Sequence, residues 1–262
     1  MILFLCSLVA IVCLVTAAAV YLVWWQPGWL VTSLATWNAD VLWSFPEQDS
    51  ADEKFIALSI DDVPTHVTPE LLSVLEQNDA RATLFVIGSH LERWTESQNV
   101  ELGLQQSSPP YKSLLVHLRR QGHELGNHLW YDEPSIRLTT VRFRDELIRL
   151  DELLFSPGDG KQRWFRPGSG WFNKRMLDVA KSLGYRCVLG SVFPHDPLLR
   201  TPRLNAFHIV NRARDGAVII VHDGRPWTIE TLTIALPELR RKGFRFVSIG
   251  ELYERRSRKK SE

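Results

Sequence analysis

The chain has 262 residues, 45% hydrophobic and 23% charged, an ordinary globular composition with room for one large domain or two small ones. A formal net charge of +1 gives no pull on a polyanion, so no nucleic-acid partner is expected. Of three cysteines, Cys6 and Cys13 lie in an apolar N-terminal run, so Cys187 has no disulfide partner in the rest of the chain.

Residues 1–25 carry no charged side chain, and Tyr21, Trp24, Trp25 and Trp29 cluster at the far end of the run. That length can cross a hydrocarbon core of about 30 Å, and aromatic residues collect at membrane interfaces. A cleaved signal peptide is the rival reading, with Ala17–Ala19 as the cleavage site. The apolar run continues past those alanines and lacks a basic start, which favours an uncleaved transmembrane anchor. The expectation is a single-pass membrane protein with an extracytoplasmic catalytic domain; the alternative is a secreted one. Residues 26–53 read as a linker, opened by Pro27-Gly28 and closed by a polar, acidic stretch.

From Lys54 short apolar runs alternate with amphipathic ones. Strand candidates are 55–60, 83–87, 124–127, 163–166, 186–190, 217–222 and 245–249. Helix candidates between them are 69–77, 111–121, 140–155, 173–183, 205–212 and 229–242. Alternation of this kind predicts an α/β domain over 54–250, a distorted (β/α) barrel of about seven parallel strands. A basic tail, 251–262, follows.

In such folds chemistry gathers at the carboxyl ends of the strands. The polar residues found there are Asp61-Asp62, Asn127-His128, Arg166, Asp196 and His222-Asp223. Two adjacent carboxylates repel unless a positive partner or a proton lies between them. Asp62, His128 and Asp132 form a candidate metal triad, with His128 and Asp132 four apart on one side of an expected helical turn. Zinc suits this donor set, with cobalt or manganese as alternatives. Asp132 as a mere turn cap before Pro134 is the competing reading. Asp61 is then free to act as base and His222 as acid.

These segments resemble the polysaccharide deacetylases of the NodB-homology type, carbohydrate esterase family 4. Ser59-Ile-Asp-Asp-Val-Pro64 is similar to that family's T-F-D-D-G-P, and Gly122-His-Glu-Leu-Gly-Asn-His128 to its G-H-E-I-G-N-H. Trp164-Phe-Arg-Pro-Gly-Ser-Gly170 resembles F-R-P-P-Y-G, and Ile220-Val-His222 matches L-x-H. The resemblance implies Asp61 as base, Asp62 and His128 as metal ligands, His222 as acid and Asp196 as the carboxylate that orients Arg166. It implies hydrolysis of an N-acetyl group on a glycan such as chitin; a monomer is the expected state of the chain. The backbone near Ser169 would help hold the oxyanion, and Trp171 or Trp227 would line the acetyl pocket. Three positions depart from the family pattern: Asp132 replaces a second His, Ser169 a Tyr and Pro197 a Trp. His195, beside Asp196, could touch substrate, and His123 reads as a buried structural histidine. Two rival functions remain, a hydrolase of a small cyclic amide or ureide and an inactive glycan-binding relative.

Overall fold

The computed structural model describes residues 2–48, 53–156 and 160–258. Its strands are β1 (Val41–Leu42), β2 (Lys54–Val63), β3 (Thr83–Val86), β4 (Glu124–Asn127), β5 (Arg163–Phe165), β6 (Tyr185–Val188), β7 (Val218–His222) and β8 (Phe244–Val247). The helices are α1 (Ile2–Trp25), α2 (Gly28–Trp37), α3 (Thr68–Gln77), α4 (Gly88–Arg93), α5 (Glu96–Glu101), α6 (Tyr111–Arg120), α7 (Thr140–Leu154), α8 (Lys174–Ser182), α9 (Pro202–Arg212), α10 (Pro226–Arg241) and α11 (Ile249–Arg258).

The strands are paired in parallel in the order β1-β6-β5-β4-β3-β2-β7, and β8 pairs with the first half of β2. The expectation of a distorted α/β barrel of about seven parallel strands holds, in the form of a half-barrel. Its ends are drawn together by isolated bridges from Ser44 to Ala217 and from Val192 to Ile219. Along β2 the side chains alternate as a pleat requires. Ile56, Leu58 and Ile60 join the helix-side core with Leu71, Leu75, Leu232 and Leu236. Ala57 faces the other way, in a core shared with Phe85, Trp164, Val188 and Val218. Each large aliphatic side chain so buried contributes about 1.5–3 kcal/mol. Helix α7 shows the same logic at helical spacing. Phe143, Leu147, Leu150 and Leu154 are all buried, and the Thr139 hydroxyl caps the start by accepting from the Arg142 N–H.

Two terminal readings need correction. The segment read as a linker carries α2 and β1, because its apolar residues Val31, Val41, Leu42 and Phe45 are buried against the barrel. The segment read as a basic tail is α11 as far as Arg258, because Leu252 enters the core and Arg256 pairs with buried Asp215. Residues 259–262 lie outside the described residues.

At the N-terminus Gln26, at φ 49°, and Pro27 break the chain between α1 and α2. Among the described residues no single helix is long and apolar enough to cross a membrane. Val9–Trp25 and Gly28–Trp37, bent by 77°, pass that test together by length and composition. The bend is docked on the barrel. The Gln26 amide donates to the Phe193 carbonyl and accepts from the Phe193 N–H, both at 2.9 Å, and the Arg212 guanidinium donates to the Gln26 carbonyl.

Candidate active site

Strand β2 runs three residues further than expected, so Asp61 and Asp62 lie within it. In a regular strand neighbours face opposite sides. Here the pairing with β3 shifts between Ile60 and Val63, and Asp62 adopts φ 66°. That bulge breaks the alternation and brings both carboxylates to one cavity of about 610 Å³ at the carboxyl ends of the strands.

Arg166, at the end of β5, is 2% exposed and fully engaged. Its Nη1 donates to Asp61 Oδ1 at 2.6 Å, while Nε and Nη2 donate to the carbonyls of Val188 and Leu189. The guanidinium lies 4.2 Å over the Phe85 ring. Gly126 makes room for that ring, since a Cβ there would stand 2.6 Å from it. The other oxygen of Asp61 makes no hydrogen bond within the site. It stands 3.8 Å from His222 Nε2 and 4.0 Å from His128 Nε2.

His222 ends β7. Its Nδ1–H donates to Asp196 Oδ1 at 2.9 Å, and its backbone N–H donates to Asp196 Oδ2 at 2.8 Å. The Thr228 hydroxyl also donates to Asp196 Oδ2. Burial would lower the His222 pKa, but the charges of Asp196, Asp61 and Asp62 and the bond to Asp196 raise it. The sequence reading that Asp196 orients Arg166 is therefore corrected. Asp196 holds His222, and the partner of Arg166 is Asp61, because the two carboxylates sit on different sides of the imidazole. Trp227 supports this from behind, donating its indole N–H to the Asp196 carbonyl at 2.8 Å.

His128, which follows β4, donates Nδ1–H to the Arg166 carbonyl at 2.7 Å. Its Nε2 faces Asp62 Oδ1, 3.6 Å away; burial would lower the His128 pKa, but the carboxylates of Asp61 and Asp62 raise it. Burial would raise the pKa of Asp62, but His128, His222 and Arg225 hold it well below the usual carboxylate range. Arg225, which the sequence reading missed, donates to Asp62 Oδ2 at 2.9 Å and to the Asp223 carbonyl. Its only signal was its place two residues beyond the strand-end His222-Asp223 pair.

The expected helical turn from His128 to Asp132 does not form. Leu129 adopts φ 70°, and the chain bends so that Gly88 and Ser89 donate to the Leu129 and Trp130 carbonyls. Asp132 lines the same cavity but is exposed, and its carboxylate has no hydrogen-bond or ion-pair partner among the described residues, so it caps no turn. Ser169 (φ 63°) and Trp171, 68% exposed, also line the cavity. His195 does not; its Nε2 lies 2.9 Å from the Val23 carbonyl and 3.0 Å from the Gln26 amide. Asp223 is consumed by Thr65, Thr68 and Gly224. His123 is buried, and burial pushes its pKa down to about 4, aided by His117 and Arg81.

Among the described residues no group of three or more His, Cys, Asp or Glu is arranged to hold a metal ion. The pair Asp62–His128 nonetheless fits one. Two donors about 2.1 Å from one ion at a tetrahedral angle lie about 3.4 Å apart, close to the observed 3.6 Å. A histidine whose other nitrogen donates to a carbonyl is the usual arrangement of a metal-binding imidazole.

The family "Polysaccharide deacetylase" matches residues 48–188. A peptidoglycan-N-acetylglucosamine deacetylase of Bacillus cereus is 32% identical over 227 residues, 81% of this chain and 92% of that protein. The peptidoglycan-N-acetylglucosamine deacetylase PgdA of Listeria monocytogenes is 29% identical over 76% of this chain, which spans 39% of that longer protein. Among solved structures, the peptidoglycan deacetylase PdaC of Bacillus subtilis superposes with a TM-score of 0.66 at 22% identity, covering 80% of this chain and 95% of that one.

Proposed function

We propose, since this chain belongs to the polysaccharide deacetylase family of NodB-type hydrolases and so acts on the N-acetyl amide bond of glycans, that it deacetylates N-acetylglucosamine units with a divalent metal at Asp62 and His128. That sugar is common to chitin and to the substrate named for the Bacillus cereus relative.

The observation that carries this reading is the half-satisfied carboxylate of Asp61. One oxygen is anchored by Arg166, and the other faces the cavity between His128 and His222. A carboxylate held this way can accept the proton of an attacking water as its oxygen adds to the acetyl carbon. His222 Nε2 faces the same space and can donate to the sugar nitrogen as the C–N bond breaks, leaving acetate and a free amine. Asp196 fixes the His222 tautomer and stabilises its protonated form. Ser169 and Gly170 border the place where the carbonyl oxygen would develop charge, and a backbone N–H there would help hold it. When bound, the metal would polarise the carbonyl and acidify water. Asp62 and His128 would hold it, with Asp132 on the same cavity as the third donor; zinc is the first candidate, with cobalt and manganese the alternatives.

The test is acetate release, measured by mass spectrometry, from N-acetylated oligosaccharides and cyclic amides with metal-loaded and chelated protein. Release from the sugars that chelation abolishes and zinc restores is expected. Release only from cyclic amides, or release unaffected by chelation, would overturn the reading.

We further propose that α1 anchors the enzyme in a membrane with the barrel on the extracytoplasmic side. Its support is the uncharged 1–25 run with its aromatic end. Helix α2 is also uncharged, and Trp29 and Trp37 are 61% and 82% exposed on it, beside the exposed Thr32, Ser33 and Thr36. Carbonate-resistant membrane association and protease protection of the barrel in sealed vesicles are expected. An N-terminus near Ala19 in soluble material would show a cleaved signal peptide instead.

A further inference from the structure

The cavity that holds Asp61, Asp62, His128 and His222 has a second wall of a different material. It is built by Val23 of α1 and Leu30, Val31 and Leu34 of α2, with Trp43 and Phe193 beside them. Leu30 and Leu34 stand one helical turn apart, so the wall is a continuous aliphatic stripe. Its position is set by the two-way amide pair between Gln26 and Phe193, and the Phe193 ring lies 5.8 Å from the His222 ring. The charged groups of the cavity are on the strand-end side, and Arg166 and Arg225 there are already committed to Asp61 and Asp62. A second sugar of a polymer laid against Leu30, Val31 and Leu34 would leave hydroxyls without partners, whereas a hydrocarbon chain would leave water with nothing lost. The helices that form this wall carry no charged residue and expose Trp29 and Trp37, so the cavity is bounded by a segment suited to lipid.

We propose that the substrate is an amphiphile: an N-acetylated amino sugar whose anomeric oxygen carries a long apolar chain. The sugar lies over Asp61 and His222 and the chain runs along Leu30, Val31 and Leu34. This rests on the deacetylase reading above and narrows its substrate from a free polysaccharide to a sugar carried on lipid.

The experiment uses the full chain in phospholipid nanodiscs, with methyl and dodecyl N-acetyl-glucosaminides and chitotriose as substrates and acetate release as the readout. The dodecyl glycoside is expected to exceed the methyl glycoside in kcat/KM by about tenfold or more, as burial of several methylenes implies. Partition into the bilayer could produce the same ordering, so the ratio is also measured in Leu30→Ser/Leu34→Ser, where the inference requires it to collapse toward one. In the wild-type protein a dodecyl glycoside bearing a terminal diazirine should crosslink within residues 23–34, a readout that needs no variant to fold. Equal rates for methyl and dodecyl glycosides, a ratio unchanged in a folded variant, or crosslinks confined elsewhere would each overturn the inference. Chitotriose preferred over both would likewise overturn it while leaving the deacetylase reading intact. No acetate from any of the three would overturn the deacetylase reading itself.

Discussion

Two buried Arg–Asp pairs sit at opposite ends of the barrel. At the amino ends of the strands Asp215 pairs with Arg256 at 2.5 Å and also accepts from the backbone N–H groups of Gln48 and Phe55. Both of its oxygens are used, and the pair ties the N-terminal segment, β2 and α11 together. At the carboxyl ends Asp61 pairs with Arg166 at 2.6 Å, yet its second oxygen is left facing a cavity. The arginines differ in the opposite sense. Arg166 has every nitrogen bonded, whereas Nε of Arg256 has no partner among the described residues. A saturated carboxylate has no acceptor left for a proton from water or substrate. A half-saturated one on a saturated arginine keeps an acceptor free for a proton.

The largest expected effect comes from removing that free acceptor. Asp61→Asn should lower turnover by about 10²–10⁴, the usual worth of a general base, while metal content measured by mass spectrometry stays at the wild-type level. Asp62→Ala should lose metal and activity together. Equal metal loss in both variants would break the division of roles between the two neighbours.

Next is stability at the other end. Asp215→Ala leaves Arg256 buried without a counter-charge and should cost about 3–5 kcal/mol. Denaturant unfolding of Asp215→Ala and Asp61→Asn side by side sharpens the comparison. Asp61→Asn should destabilise less, because Arg166 keeps two carbonyls and an amide oxygen and Asp62 loses a repelling neighbour. The reverse order would show that the Asp61 pair is chiefly structural.

Asp196 is saturated like Asp215 but acts through His222. Its charge raises the His222 pKa, and a general acid is lost as pH rises through its pKa. Asp196→Asn should therefore move the alkaline limb of kcat/KM to lower pH, and an unmoved limb would remove His222 as the acid. Asp132 is the opposite extreme, a carboxylate with no partner among the described residues. Asp132→Ala should weaken zinc binding to the purified protein, and Asp132→His should strengthen it. Unchanged affinity would mean that the third ligand lies elsewhere.

Much of the site was legible in the sequence because strand ends are marked by local chemistry. An apolar run followed by polar residues located Asp61, Asp62, His128, Arg166 and His222, and all five line one cavity. The pairing among them was less legible. The partner of Arg166 and the role of Asp196 depend on which strands lie next to each other, and Arg225 carries no local pattern at all. The spacing of His128 and Asp132 suggested a helical turn, but spacing cannot reveal that Leu129 takes a left-handed backbone conformation.

The sequence by itself determined the α/β alternation, the parallel barrel-like sheet and the residues at its carboxyl end, because pleat and helix periods are set by neighbours a few positions apart. Only the tertiary structure decided that the bulge after Ile60 aims both carboxylates into one cavity, that Asp196 serves His222, and that α2 walls the site. The last two outcomes depend on the contacts of Asp196 with His222 and of Gln26 with Phe193. Packing of separate elements sets such distances, and no local periodicity encodes them.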